Sequence, residues 1–532
     1  MPIYRVPILA FAILAVLAAV TYRLLTSPSG GRALPPLRRF WALYAIGQAM
    51  LAGAIYYTHL SFPLNLEFME SAVLQHVLRL SAGQAIYVDP SPEFVALAYN
   101  PLYYLICVPF VRLFGPELSS IRMPAILGAI GCAVMVGVLV RRFTRSDWWA
   151  LIGVGVFASA YRAMDCYLDI GHRDSLLLLS ILTGFWLLDR GERFAPLAGM
   201  LVLAVGFWFK QTGIYFLGMG IVYMLWQHPR KQAIVAACAG LAAGPLLHAL
   251  APNSWLGARM HYFTFEVPAR WTDLHWGEMS NFLRLLVWHY GPLAVAAGWL
   301  WVRGWRKANG SLGVLRIAIP GAIASGAAVA MSPGSNNNVF IPMGGLLIVS
   351  GVIGLALLSR AGFAGRRLAY SLLAVAFAVL LYRPQTVLRL DSATAYADLT
   401  ALLRSLDGPV YAPGLGPFYV PPGQPAVHLS PVIHVVPLAD MVRGPGRDET
   451  ANPVVRTLLR SVENPTAPVA YILSHSPLEE EPTLAYLTSR YRLEKDFHDF
   501  FEPLATLPAR HGHLYPRYLY KLIPPVAQGQ TR

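Results

Sequence analysis

The chain has 532 residues, 56% hydrophobic and 13% charged, with a mean hydropathy of +0.49 and a formal net charge of +14. A soluble domain carries nearer a quarter of its residues as charges, so this composition excludes an ordinary water-soluble protein and predicts a polytopic α-helical membrane protein. The basic residues collect between apolar runs, as they do in cytoplasmic loops, and no basic stripe or recognition module accompanies them, which argues against nucleic acid as a partner.

Runs approaching the 20 or so apolar residues that cross a bilayer core fall at roughly 5–26, 40–60, 119–140, 148–164, 175–189, 195–208, 212–227, 232–250, 284–302, 314–331, 339–358 and 367–382, about twelve in all. The first reads as a retained helix, because Arg23 follows its apolar run and no small-residue cleavage site is clear. Every second connection is basic, from Arg32, Arg38 and Arg39 after the first span to Arg360, Arg366 and Arg367 after the eleventh. That pattern puts those connections in the cytoplasm. It puts 61–118, 165–174, 209–211, 251–283, 332–338 and the tail from 383 onward on the opposite face. The parity requires 101–114, which is short, holds two prolines and carries Arg112, to be interfacial or re-entrant.

The domain division expected is a membrane region over 1–382, with a long outer loop at 61–118, followed by an extracytoplasmic α/β domain over 383–532. In the tail, 393–406 has helical apolar spacing, 408–413 and 467–475 read as strands, and 478–491 reads as a helix with an acidic first turn. The four cysteines lie in or beside apolar segments and no CxxC occurs, which argues against a disulfide framework or a zinc site.

Four polar stretches on the outer face could carry chemistry. In LEFMES (66–71), Glu67 and Glu70 lie three apart, share a helix face and stand just outside the hydrocarbon. A carboxylate there can take a proton from a hydroxyl, although paired carboxylates are also common on plain solvated turns. In AYNPLYY (98–104), Tyr99 and Tyr103 suit stacking on a sugar or orienting a lipid headgroup, or simply an interfacial aromatic belt. DCYLDIGHRDSLLLL (165–179) crowds Asp165, Asp169, His172, Arg173 and Asp174 at the mouth of an apolar helix, where ionisable groups are costly and pair or mark a site. Arg173 suits a phosphate, and Asp169 suits holding it in place or holding a metal. The same residues also suit a salt-bridged cap, with Asp174 complementing the helix dipole. In FKQTG (209–213), Lys210 could neutralise a lipid phosphate or snorkel to the interface. The loops 251–283 and 332–338 add polar groups without metal-site spacing, and His428, His434, His511 and His513 are scattered through the tail.

In order and on a shared face, MES around Glu70, GQAIYVDPSPEF, YNPLYYL, DIGHRDSLLLL and FKQTG resemble the GT-C superfamily of polyprenyl-phosphate-sugar glycosyltransferases. Within it the chain resembles bacterial relatives of protein O-mannosyltransferase and of the aminoarabinose transferase that modifies lipid A. The resemblance implies a sugar carried on a polyprenyl phosphate, moved with inversion to an acceptor hydroxyl of unidentified kind on the outer face of a bacterial inner membrane. It makes Glu70 the general base, with Met69 and Ser71 where Asp and Gly often stand, and adds Asp169 as a catalytic residue. Arg173 and Lys210 would stabilise the leaving phosphate, and Glu67, Tyr99, Tyr103, His172 and Asp174 would line the substrate site. No cofactor is required, and the resemblance leaves room for a divalent metal. A transporter or flippase of a lipid-linked sugar would instead place ionisable residues at mid-span and show repeated halves. A membrane anchor for a binding domain would not need so many spans.

Overall fold

The structure, a computed structural model, describes residues 30–67, 69–89, 94–251, 255–269, 276–306, 312–331, 337–381, 392–408, 410–412, 470–474, 477–480, 488–497 and 517–523. The expected first span at 5–26 and the tail histidines lie outside them.

The described chain starts with helix α1 (Gly30–Ser61). The outer excursion that follows holds two short helices. α2 (Glu70–Ser81) buries one face, including Glu70 and His76. α3 (Leu102–Phe114) has 13 residues with Pro109 inside, about 20 Å at 1.5 Å per residue and too short to cross alone. Helices α4 (Leu118–Thr144), α5 (Asp147–Ser159), α6 (Asp174–Leu188), α7 (Ala195–Phe209) and α8 (Gly213–Gln227) follow. α9 (Arg230–Leu241) runs into a π turn at Ala242–Leu246, where Pro245 removes a backbone donor from the ladder.

Helix α10 (Trp276–Arg284) also ends in a π turn, Leu285–His289, and the chain then bends by 81° into α11 (Gly291–Arg306). The stretch 284–302, expected as one span, is therefore broken. Gly291 followed by Pro292 supplies the physical reason, since proline cannot donate back across the junction. The set ends with α12 (Leu315–Val329), α13 (Ile341–Leu358) and α14 (Phe363–Val379). α13 is the central post. Its apolar window is 94% buried against 50% for α4, and it packs on α4, α5, α6, α11, α12 and α14.

Among the described residues three helices are individually long and apolar enough to cross a membrane: Leu118–Thr144, Arg230–Ala249 and Asn337–Leu358. The bent pair at 279–304 makes a fourth, and six shorter apolar helices of 13 to 15 residues accompany them.

In the tail, a helix α15 (Ser392–Ser405) precedes a four-stranded sheet of order β1-β2-β4-β3. β1 (Val410–Tyr411) pairs parallel with β2 (Tyr471–Ser474), and β4 (Tyr518–Leu522) lies antiparallel between β2 and β3 (Tyr491–Asp496). The first two strands fall inside the runs read as strands. The helix expected over 478–491 does not form at its described ends: 478–480 is a 3-10 turn and Tyr491 opens β3.

Candidate active site

The site is built where the first outer excursion meets the short loop 160–173. Two glycines set the approach. Gly257 has φ +126°, and a Cβ there would lie 2.2 Å from the carbonyl oxygen of Tyr87. Only glycine lets the 255–259 turn dock, where Leu256 O accepts from Ile86 N and Tyr87 N at 3.0 and 2.9 Å. At Gly171 a Cβ would meet Ile121 at 2.5 Å, so its bare backbone can bring the amide to Glu70.

Glu70 and Arg122 form the most enclosed charge pair. Both are fully buried. Arg122 Nε donates to Glu70 Oε1 at 2.8 Å and Nη2 to Oε2 at 2.6 Å. Oε1 also accepts from Gly171 N at 2.7 Å and Oε2 from Leu66 N at 2.6 Å. The remaining guanidinium protons go to the carbonyls of His59, Phe62 and Leu64. Burial alone would raise the Glu70 pKa, but the Arg122 guanidinium overrides it and holds the carboxyl below its usual value. A carboxylate with four donors and a depressed pKa is a poor proton acceptor. Through these bonds Glu70 ties α1, α2, α4 and the 160–173 loop together.

Asp169, also expected to be catalytic, is engaged too. Its oxygens accept from His59 Nδ1 and the Tyr161 hydroxyl, each at 2.8 Å. Asp174 accepts from Lys210 Nζ at 2.8 Å, Asn338 Nδ2 at 3.1 Å and, in a shorter contact, His172 Nδ1. Lys210 is therefore neutralised by Asp174, and burial lowers its pKa. The Tyr103 hydroxyl is occupied as well, donating to Ile121 O at 2.6 Å.

Glu67 and Arg173 behave differently. Glu67 is buried, and its Oε2 accepts from Met69 N at 2.8 Å while Oε1 meets the Tyr167 hydroxyl at the longer distance of 3.3 Å. Burial pushes its pKa up to about 8, with the neighbouring Glu70 charge adding to the rise and Arg173 opposing it. Arg173 is fully buried; its Nη2 donates to His172 Nε2 at 3.1 Å and its guanidinium also meets the Tyr99 hydroxyl, while Nε and Nη1 have no hydrogen-bond partner among the described residues. Its guanidinium carbon lies 3.1 Å from the centroid of the Tyr99 ring. The Tyr167 and His172 rings meet edge to face at 5.3 Å. Glu67, Tyr167, His172, Arg173 and Tyr99 thus form one continuous wall.

His172 fits this wall as a neutral ring. Asp174 takes its Nδ1 proton, so Nε2 offers a lone pair to Arg173. Burial and the adjacent Arg173 lower its pKa to about 4. Among the described residues no three His, Cys, Asp or Glu side chains gather as a metal site. His172 with Asp174 already holds Lys210 and Arg173, whose charges oppose a divalent cation, so that pair does not fit a metal. Of the loop 251–283, His261 and Glu266 lie 3.4 Å apart and half exposed, while Arg270, Asp273 and His275 fall outside the described residues.

Arg122, His59, Tyr161, Tyr167 and Asn338 were not singled out from the sequence. Arg122 carried a readable signal, a charge four residues inside an otherwise apolar span. The others carried none.

The fold can be set beside solved structures. ArnT from Cupriavidus metallidurans bound to undecaprenyl phosphate superposes with a TM-score of 0.52 at 14% identity, covering 95% of this chain and 100% of that one. Its apo form gives 0.50 at 13%, covering 89% and 97%. This chain has the GT-C fold. The apo oligosaccharyltransferase of Archaeoglobus fulgidus matches at a TM-score of 0.48 and 10% identity, over 83% of this chain and 70% of that one. No family model matches the sequence, and no curated protein does. The GT-C fold expected from the outer-face motifs is thus present at an identity where sequence comparison is silent.

Proposed function

We propose that the protein transfers a sugar from a polyprenyl-phosphate donor to an acceptor hydroxyl at the outer face of a bacterial inner membrane. The observation that carries this reading is Arg173: a buried guanidinium with two unpartnered nitrogens and no carboxylate in ion-pair contact among the described residues. An isolated buried charge is expensive unless a ligand completes it, and a phosphate oxygen pair matches its fork. The undecaprenyl phosphate held by ArnT, which shares the fold, supports a lipid phosphate as that ligand.

The base is Glu67 rather than Glu70. With a pKa near 8 it is partly ionised at neutral pH and holds an accepted proton well. The acceptor oxygen forms its bond to the anomeric carbon as the bond from that carbon to the phosphate oxygen breaks. The hydroxyl proton goes to Glu67, and the departing phosphate gathers its charge at Arg173. Lys210 acts through Asp174, fixing the carboxylate that orients His172. Tyr99 and Tyr167 stand beside the cation and the base, where they could pack on a sugar ring. The test is transfer from radiolabelled polyprenyl-phosphate sugars in membranes carrying wild type or Arg173→Ala. The variant should lose turnover and retention of undecaprenyl phosphate together, and undiminished retention would sink the assignment.

A further inference from the structure

A second polar group is left open at a different place. His59 ends α1, is buried to more than nine-tenths, and has no hydrogen-bond partner at Nε2. Asp169 holds its Nδ1 proton at 2.8 Å, and Tyr161 donates to the other carboxylate oxygen, so the ring is oriented with a lone pair at Nε2. Tyr161 also packs edge to face on Tyr56 at 6.1 Å.

Tyr56 is part of the wall of an apolar groove between α1, α4 and α5, about 360 Å³ in volume. Small residues floor it on α1, Ala49, Ala52 and Gly53, and Tyr57, Ile130 and Val134 stand at its rim, exposed by 75%, 50% and 57%. Such side chains exposed on a membrane helix face hydrocarbon rather than water. Leu60, the residue after His59, also lines it, and His59 itself lies behind that lining.

We propose that the groove and the His59–Asp169 dyad form the acceptor subsite: the acceptor is a lipid, its chain lies in the groove, and a hydroxyl of its head donates to His59 Nε2. This rests on the transferase reading above and names its second substrate. The groove does not suit the donor. Wherever the shared proton sits, His59 and Asp169 together carry no net positive charge, so they offer a phosphate nothing, whereas the uncompensated cation Arg173 lies in the other wall. A neutral hydroxyl is what an oriented lone pair beside a carboxylate accepts. The Glu70–Arg122 pair joins the two places, Glu70 holding Gly171 N and Arg122 holding His59 O.

The test is photolabelling of the full chain in nanodiscs with two probes: diacylglycerol bearing a diazirine on one acyl chain, and undecaprenyl phosphate bearing one on its prenyl chain. Diacylglycerol should label peptides around Gly53 and Ala129. His59→Leu should cut that labelling about fivefold, roughly what one neutral hydrogen bond is worth. Gly53→Leu should cut it further by filling the groove; a Cβ there meets nothing within 4 Å, so this variant stays informative if His59→Leu fails to fold. Undecaprenyl phosphate labelling should ignore both variants and fall in Arg173→Ala. Diacylglycerol labelling unchanged in Gly53→Leu would overturn the proposal. So would groove labelling by undecaprenyl phosphate that falls in Gly53→Leu, or labelling of the groove by neither probe, which would leave it to the chain's own apolar stretch 5–26. Loss of only the Arg173 dependence would count against the donor site while leaving the groove assignment standing.

Discussion

Arg122 and Arg173 are both fully buried in an apolar surrounding, and they are opposites. Arg122 spends every donor, two on Glu70 and three on the carbonyls of His59, Phe62 and Leu64. Arg173 turns Nη2 to the His172 ring and leaves Nε and Nη1 bare. Burial and charge are the same, so neither can tell structure from function. Saturation can. A charge whose valences are met inside the chain holds the chain together, and a charge left short marks where something else binds. The same contrast separates the carboxylates, four-coordinate Glu70 from lightly held Glu67.

The largest effect should come from breaking the saturated pair. Glu70→Gln leaves Arg122 buried without its counter-charge, which costs about 3–5 kcal/mol. Little folded protein should be recovered, read by the monodisperse fraction and thermal unfolding in detergent. If Glu70→Gln instead folded with wild-type stability and merely lost turnover, Glu70 would be chemical and the contrast would fail. Arg173→Ala should do the reverse. It removes a buried cation whose hydrogen bonds are only partly met, so the unfolding temperature should nearly hold, while transfer falls about 10²–10³-fold, as when a preorganised charge stabiliser is lost.

Glu67→Gln comes next, with transfer down roughly a hundredfold, at the lower end for general bases because a lipid phosphate leaves readily. The sign of the pH effect follows from its raised pKa. The base works ionised, so wild-type turnover should climb as pH rises through about 8 and then level, and the variant should be flat over that range. A wild-type profile already flat from pH 6 to 9 would remove Glu67 from the role.

Much of this was readable beforehand. The helices fall on the apolar runs because about twenty hydrocarbon-compatible residues can do little in a bilayer but form a helix. That Arg173, Lys210 and the two glutamates lie in the connections between apolar helices rather than inside them follows from the same runs. The pairing of side chains was not readable. Letters 66–71 do not say that Glu70 turns to Arg122, 52 residues on, while Glu67 turns to Tyr167, 100 residues on. Nor does FKQTG say that Lys210 is taken by Asp174. The resemblance favoured Glu70 over Glu67, and how differently the two carboxylates are partnered became visible only in the fold. The π turns at 242–246, 262–266 and 285–289 are similarly unsignalled, apart from Pro245.

The smallest effect sharpens the contrast most, because it acts on Arg173 without touching its charge. His172 Nε2 accepts from Arg173 Nη2, and Asp174 fixes the ring so that a lone pair, not a proton, faces it. His172→Gln can still present a carbonyl oxygen there, whereas His172→Phe cannot. If the ring only positions the cation, the glutamine variant should lose about fivefold in transfer, the worth of one imperfect hydrogen bond, and the phenylalanine variant more. The loss should appear in the KM for the lipid-phosphate sugar rather than in kcat, since an ill-placed guanidinium binds the phosphate less well in ground and transition state alike. A fall confined to kcat, with loss of a wild-type pH dependence near 4, would mean that the imidazole carries a proton itself, and Arg173 would then owe its open valences to a different partner.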